Sequence, residues 1–433
     1  MGIPTVGAAG DNVVRYAVGY NFEYTNGMPI RYVGFPFPVA GQPKEVHRRY
    51  VFEGNDTLNG KPMMQAIIDA FTNPLTEKEK ISGRPPEAKP ESRLLKPDTE
   101  ENLQQLFKDK DWTDYNPIIL PTEERVAAML QGTSLKPDMV VNTIGWPGGA
   151  RDLTVEKVAV CAVMAGAKPK HLPLILAVAK SVPFGNSTSS MANMILVNGP
   201  IRNEIGMNYG LNVMGPHSEV NAVVGRSYTL MSKTAGNLHS GKTTFSALGS
   251  NIQYNNLCIA ENEEALPEGW DPIHVQRGFK PTDSVVTVGT GWSYISSVGE
   301  VQIKYPAQYL IRDYMRSLTG MGATVIVTPE VASLLKDSQG FNTKDDLSKW
   351  LANNVEKTVA SYWGNGVIST MSASMALQGL EPYASQYNLP PDTLIKPFQS
   401  GRGVNIIVTG AGQTTWFVTD FGVGRGTKVD DFR

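Results

Sequence analysis

Short apolar runs, each cut off by glycine, asparagine or proline, recur along this chain. They are MVVNTIG (139–145), MILVNGP (194–200), SVVTVGTG (284–291), ATVIVTP (323–329) and VNIIVTG (404–410). Short runs of this kind, rich in β-branched residues, predict strands. The stretches between them carry helical spacing with recognisable starts. Thr154 or Asp152 precedes VEKVAVCAVMAG, and Pro169 opens KHLPLILAVAK near its first turn. This alternation predicts an α/β architecture with mostly parallel sheets and flanking helices. In such folds ligands gather at the carboxyl ends of strands, where glycine-rich loops let backbone N–H groups approach an anion. Four loops suit that place: GWPGGARD (145–152), NGPIRNE (198–204), GTGWS (289–293) and GAGQTT (410–415).

The first 71 residues predict a small α/β unit of their own. GIPTVGAA (2–9) is a strand, and Asp11 caps a helix through NVVRYAVGYNFEYTN that stops at Gly27. MPIRYVGFPFP (28–38) returns as a strand, and a second helix covers 60–71 (GKPMMQAIIDAF). From 72 to 97 the pattern fails: the stretch is charged and proline-rich, with too little apolar surface to fold alone. It predicts a linker or a surface arm. Residues 98–433 form the larger α/β region, in one lobe or two.

Composition narrows the function classes. A chain of 433 residues with 18% charged side chains and a net charge of −2 has no basic field for nucleic acid, and no Lys/Arg run supplies one. No stretch approaches the roughly 20 apolar residues that span a bilayer. MGIPTVGAAGDNVV has neither a charged start nor a long apolar core, as a secretory signal requires, and Val6 breaks the myristoylation pattern. Two cysteines, Cys161 and Cys258, exclude a disulfide framework. These observations predict a cytoplasmic protein. GNLHSGKT (236–243) spells a phosphate-cradling P-loop letter for letter. The residues before it have helical rather than strand spacing, and Gly249 soon interrupts the residues after it, so the expected context is missing on both sides. The letters predict an ordinary turn.

The middle of the chain has more distinctive wording. TVEKVAVCAVMAGAKPKHLPLILAVAKSV (154–182) and MILVNGPIRNEIGMNYGLNVMGP (194–216) are followed in order by NAVVGRSYTL (221–230), LCIAENEE (257–264) and DPIHVQRGF (271–279). Together they resemble the C-terminal region of the UGSC family of bacterial (seleno)proteins, named for a Sec-Gly-Ser-Cys or Cys-Gly-Ser-Cys redox motif. The resemblance covers about 120 to 300 well and the tail to 433 more loosely. The first 80 residues are similar to part of that family's small N-terminal domain. They are more distantly similar to the B component of glycine, sarcosine and betaine reductases. In those families a Cys/Sec loop precedes GIPTV, the segment on which this chain opens, and Ala167 stands where a family cysteine is expected. The resemblance therefore implies that a smaller partner subunit supplies the reactive sulfur or selenium together with the strand beside GIPTVGAA.

Several residues are candidates for the chemistry. Glu261, Asn262, Glu263 and Glu264 crowd carboxylates at a strand end, which favours a shared proton and an acid or base role for Glu261 or Glu264. Together with His274 they offer ligands for a divalent metal; the bland alternative is a solvated turn. Asn198 and Gly199, ending a strand before a helical turn, suit an oxyanion or carboxylate site. Arg226, on an otherwise apolar helix, needs a core carboxylate or an anionic ligand. Arg277 beside Gly278 suits a bidentate clamp on a substrate carboxylate or an ion pair with the Glu261–Glu264 acids. Strand spacing would send His274 and Arg277 to opposite faces. Cys161 on an apolar helix face and Cys258 before an acidic cluster are poor nucleophiles. His47, His171, His217 and His239 have ordinary surface, packing or turn roles. The leading expectation is the large subunit of a heteromeric thiol- or selenol-dependent enzyme acting on a small polar, anionic substrate, with reductive C–N or C–S cleavage as the class. A metal-dependent hydratase or lyase and a non-catalytic scaffold for a redox subunit are the rivals.

Overall fold

The computed structural model describes residues 5–11, 14, 17, 29–36, 39, 42–80, 92–146, 149–181, 191–236, 238–240, 246, 248–297, 305–399 and 403–433. The chain divides into two compact units, one of residues 1–99 with 143–152 and 239–244, the other of the remainder.

In the first unit β1 (Val6–Gly10) pairs in parallel with β2 (Arg31–Phe35), Val6 opposite Arg31. Most of the helix expected between them lies outside the described residues. The helix Met63–Thr72 buries Met63 and Ala66 against Val33, with Val6, Phe35 and Ile67 around them. Arg31 ties strand to helix: its guanidinium donates to the carbonyls of Asp69 and Asn73 at 3.2 and 2.6 Å, and to Pro74 at 2.7 Å. The same group holds both oxygens of Glu79 at 2.7 and 2.9 Å, on the short helix Glu77–Lys80. These bonds pull the Glu79 carboxyl down to about 2. The start of the expected linker is thus pinned to the first unit, and 81–91 lie outside the described residues.

Next come β3 (Val140–Trp146) and β4 (Gly149–Thr154), a separate two-stranded pair. The second unit contains β5 (Ala192–Asn198), β6 (Leu257–Ala260), β7 (Val285–Gly291), β8 (Tyr294–Ser296) and β9 (Ala323–Val327). A short pair, β10 (Lys357–Thr358) and β11 (Leu394–Ile395), precedes β12 (Val404–Val408), β13 (Trp416–Thr419) and β14 (Gly426–Lys428). Two four-stranded sheets result, ordered β14-β7-β5-β6 and β12-β9-β13-β8.

The α/β class is as expected, but the sheets are mixed rather than mostly parallel. Only β5–β6 and β9–β12 run parallel within them. Those two pairs are joined through long helical connections, including Glu219–Thr234 for the first and Lys344–Asn354 for the second. The strands β7, β8, β13 and β14 are reached by connections with little or no helix, which suits antiparallel pairing. Because Ala192 pairs with Gly291, GTGWS lies at the opposite end of the sheet from NGPIRNE.

The helix Val155–Ala165 starts at Thr154, whose hydroxyl accepts from the Lys157 N–H, and stops at Gly166, φ 87°. With Leu172–Ser181 it supplies a nearly all-buried helical layer. The helix Glu219–Thr234 passes β6 at Gly225, where a Cβ would stand 1.6 Å from the Asn255 carbonyl oxygen. That helix also ends just before GNLHSGKT, so the strand a P-loop requires is replaced by a helix; residues 237 and 241–245 lie outside the described residues. The two sheets meet at strand ends. The Asn262 N–H donates to Val408 at 2.8 Å and the Thr409 hydroxyl to Ala260 at 2.7 Å.

Candidate functional site: the strand ends at Asn198, Glu261 and Val408

The carboxyl ends of β5, β6 and β12 converge, and the side chains beyond them form one buried polar cluster. Glu261 is its hub. Its Oε1 accepts from Lys344 Nζ at 2.5 Å and from the Val408 N–H at 3.3 Å. Its Oε2 accepts from Asn198 Nδ2 at 2.8 Å and from the Ile273 N–H at 2.9 Å. Four donors fill the four lone-pair positions of a carboxylate. Glu261 and Lys344 are both fully buried. Glu261 therefore holds β6, β12 and the helix Lys344–Asn354 together and has no oxygen left to take a substrate proton.

Glu263 stands next on a short helical turn, Glu263–Ala265. Its Oε1 accepts from the Gly199 N–H at 2.8 Å and from Asn198 Nδ2 at 2.9 Å. Its Oε2 lies 3.1 Å from Arg202 Nη2. Arg202, on the short helix Ile201–Ile205, is itself buried and also donates to the carbonyls of Gly199 and Glu261 at 3.0 and 2.6 Å. Its outer face meets Glu264 at 3.1 and 3.2 Å. Burial works to raise the Glu264 carboxyl, but hydrogen bonds from Arg202, its own backbone and Asn203 outweigh it and hold the group below the ordinary carboxylate range. Glu264 is thus a stable anion rather than a proton donor.

His274 sits behind this arrangement. HVQRGF is not a strand but a single helical turn, Ile273–Gln276, stopped by Gly278 at φ 86°. His274 is fully buried, with Nδ1 3.8 Å from Glu263 Oε1, and neither ring nitrogen has a hydrogen-bond partner among the described residues. Asn198 Oδ1 is likewise buried and unpartnered. Such orphaned groups cost about 1–3 kcal/mol each, so their clustering marks a place where something polar belongs.

Of the sequence candidates, then, Asn198, Gly199, Glu261, Glu264 and His274 come together; Arg226 and Arg277 do not join them. Arg226 takes the core-carboxylate alternative, donating to both oxygens of Asp114 at 2.9 and 3.0 Å and to the Pro117 carbonyl at 2.8 Å. Arg277 donates to the Gly424 carbonyl at 2.6 Å and to Asn405 at 3.1 Å, clamping β12 and the chain before β14 rather than any acid of the cluster. Sequence reasoning missed Arg202 and Lys344. Arg202 was visible as the basic residue within NGPIRNE, whereas Lys344 carries no signal at all. Among the described residues no group of three or more His, Cys, Asp or Glu side chains is arranged to hold a metal ion. Glu261 is saturated by nitrogen donors and Glu263 and Glu264 face Arg202, so these carboxylates do not suit a hydratase metal. Both cysteines are buried, and burial pushes their thiols up to about 11 (Cys161) and about 12 (Cys258).

No protein-family model matches the chain, and no curated protein matches it. No helix among the described residues is long and apolar enough to cross a membrane.

Proposed function

We propose that this chain is the ligand-holding subunit of a heteromeric, thiol- or selenol-dependent enzyme, and that it takes a small polar, anionic substrate at the carboxyl ends of β5 and β6. The observation that carries this reading is the polar cluster at those strand ends. Converging amide, guanidinium and backbone donors lie beside buried polar atoms of His274 and Asn198 that have no partner among the described residues. The ordered blocks resembling the UGSC family point to sulfur or selenium chemistry. Cys161 and Cys258 cannot supply it, because each is buried and each thiol is held far above neutral pH. On this reading a companion supplies the reactive atom and this chain orients the substrate. Reductive cleavage of a C–N or C–S bond is the reaction class in keeping with that division.

The test is alkylation of the native assembly. The chain is isolated with whatever accompanies it under reducing conditions, treated with iodoacetamide at neutral pH, and read by mass spectrometry. A companion labelled on cysteine or selenocysteine, with loss of turnover and with Cys161 and Cys258 unlabelled, is the expected result. A fully active chain with no companion overturns the proposal.

A further inference from the structure

The cradle at the end of β5 is already occupied, and its occupant is part of the protein. Four nitrogen groups surround the Glu263 carboxylate: the Gly199 N–H at 2.8 Å, Asn198 Nδ2 at 2.9 Å, Arg202 Nη2 at 3.1 Å and, beyond hydrogen-bond distance, His274 Nδ1 at 3.8 Å. A backbone N–H, an amide, a guanidinium and an imidazole around one planar anion form the donor set of a carboxylate receptor. Gly199 is suited to the place, since its φ is 81° and a Cβ there would lie 2.1 Å from the Asp283 carbonyl oxygen. Asn198, Arg202 and His274 are each at most 2% exposed, so the donors are fixed by the core.

Two features argue that Glu263 is a removable occupant rather than a permanent tie. Its carboxylate side chain is 14% exposed, at the open side of the cradle, and it stands on a helical turn of only three residues, Glu263–Ala265. His274 approaches without closing a hydrogen bond, and neither of its ring nitrogens has a partner among the described residues, so Glu263 satisfies this receptor incompletely. Glu261 behaves differently: it accepts four bonds and is wholly buried.

We propose that the Gly199–Asn198–Arg202–His274 cradle is a binding site for a small monocarboxylate, and that Glu263 is its internal competitor, displaced toward solvent when the ligand enters. This rests on the proposed function and specifies the ligand class of that site. A ligand carrying one negative charge replaces the charge of Glu263 without altering the balance. A phosphate dianion adds charge beside Glu261, which shares Asn198 Nδ2 with the cradle, and is therefore disfavoured. The turn bearing Glu263 acts as a self-inhibiting latch that sets the affinity.

Acetate tests this on the full-length chain alone, by calorimetric titration at constant ionic strength with inorganic phosphate as comparison. Removing the competitor in Glu263→Ala should tighten acetate binding by about tenfold or more over the parent, the factor expected when an internal occupant fills the site most of the time. Glu263→Gln, isosteric but uncharged, should tighten it by a smaller factor and serves if the alanine variant does not fold. Phosphate should bind neither variant measurably. Histidine-labelled protein should show acetate shifting the ring signals that are absent from His274→Gln. Unchanged acetate affinity in the folded variants, phosphate binding equal to acetate, or no shift at His274 overturns the proposal. Because no companion is present, such failure is separate from failure of the alkylation test.

Discussion

Replacing Lys344 with methionine asks whether the Glu261 hub holds the second unit together. Lys344 Nζ lies 2.5 Å from Glu261 Oε1, and the two side chains are 1% and 0% exposed. Methionine keeps most of the stem's volume and removes the charge, leaving a buried carboxylate with three donors: Asn198 Nδ2 at 2.8 Å and the N–H groups of Ile273 and Val408 at 2.9 and 3.3 Å. Stranding one member of a buried ion pair costs about 3–5 kcal/mol. The three surviving bonds stabilise the anion in part, which places the loss near the lower end, about 3 kcal/mol. That is roughly a hundredfold in the unfolding constant. Urea denaturation monitored by tryptophan fluorescence reads it directly, since Trp270 and Trp416 are buried in a hydrophobic core cluster of this unit. The control is Lys349→Met. Lys349 pairs with Asp345 at 2.5 Å on the same helix, but those side chains are 71% and 68% exposed, so its midpoint should not move. Equal shifts in the two variants would refute the assignment of Glu261 and Lys344 as the structural tie between the sheets. Glu261→Leu should be worse than Lys344→Met, because it strands the ammonium and three N–H donors at once.

The buried ring of His171 and the guanidinium of Arg31 give two further outcomes. His171 is buried, and its Nδ1 accepts from the Lys168 N–H at 3.1 Å; burial first, then Lys170 and Lys168, push its pKa down to about 4. The folded state holds the ring neutral while the unfolded chain takes up a proton below about pH 6.5, so its contribution is complete above that pH and is lost toward pH 4. His171→Gln should flatten the fall in stability across that window, worth on the order of 2–3 kcal/mol, and an undiminished fall would exclude His171 as its source. In the first unit, Arg31→Ala should cost about 2 kcal/mol locally and speed amide exchange over residues 69–79. Arg31→Lys should not restore protection, because a single ammonium cannot span Glu79 and the carbonyls of Asp69, Asn73 and Pro74.

How much of this was legible depends on the range of the interaction. The five apolar runs all became strands, because continuous β-branched apolarity is a local signal that burial enforces. The capped start at Thr154 and the stop at Gly166 are local for the same reason. Direction is not local. Whether β7 runs with β5 or against it depends on what connects β6 to β7, and the apolar run SVVTVGTG is the same either way. The expectation of mostly parallel sheets therefore failed where short connections replaced helices, and GTGWS, at the carboxyl end of a strand as expected, lies away from NGPIRNE because β7 runs against β5.

The site shows the same division more sharply. Asn198 and Gly199 were visible as donors at a strand end and the Glu261–Glu264 acids as a charge cluster, each from its own few residues. That the donors are filled by one of the acids depends on a contact across 64 positions. Lys344 shows how complete the concealment becomes. It occupies the first position of a helix, beside Asp345 and Asp346, where a positive charge opposes the dipole and reads as an ordinary solvated lysine. Only the placement of Glu261, 83 residues earlier, turns that lysine into a buried tie. Composition counts three neighbouring glutamates as equivalent, but the fold separates them by what they accept. Glu261 is saturated by four donors, Glu264 is held ionised at the rim, and Glu263 alone fills a cradle that fits it incompletely. That inequality among identical side chains makes Glu263 the one whose removal should change binding, whereas removal of Glu261 should change folding.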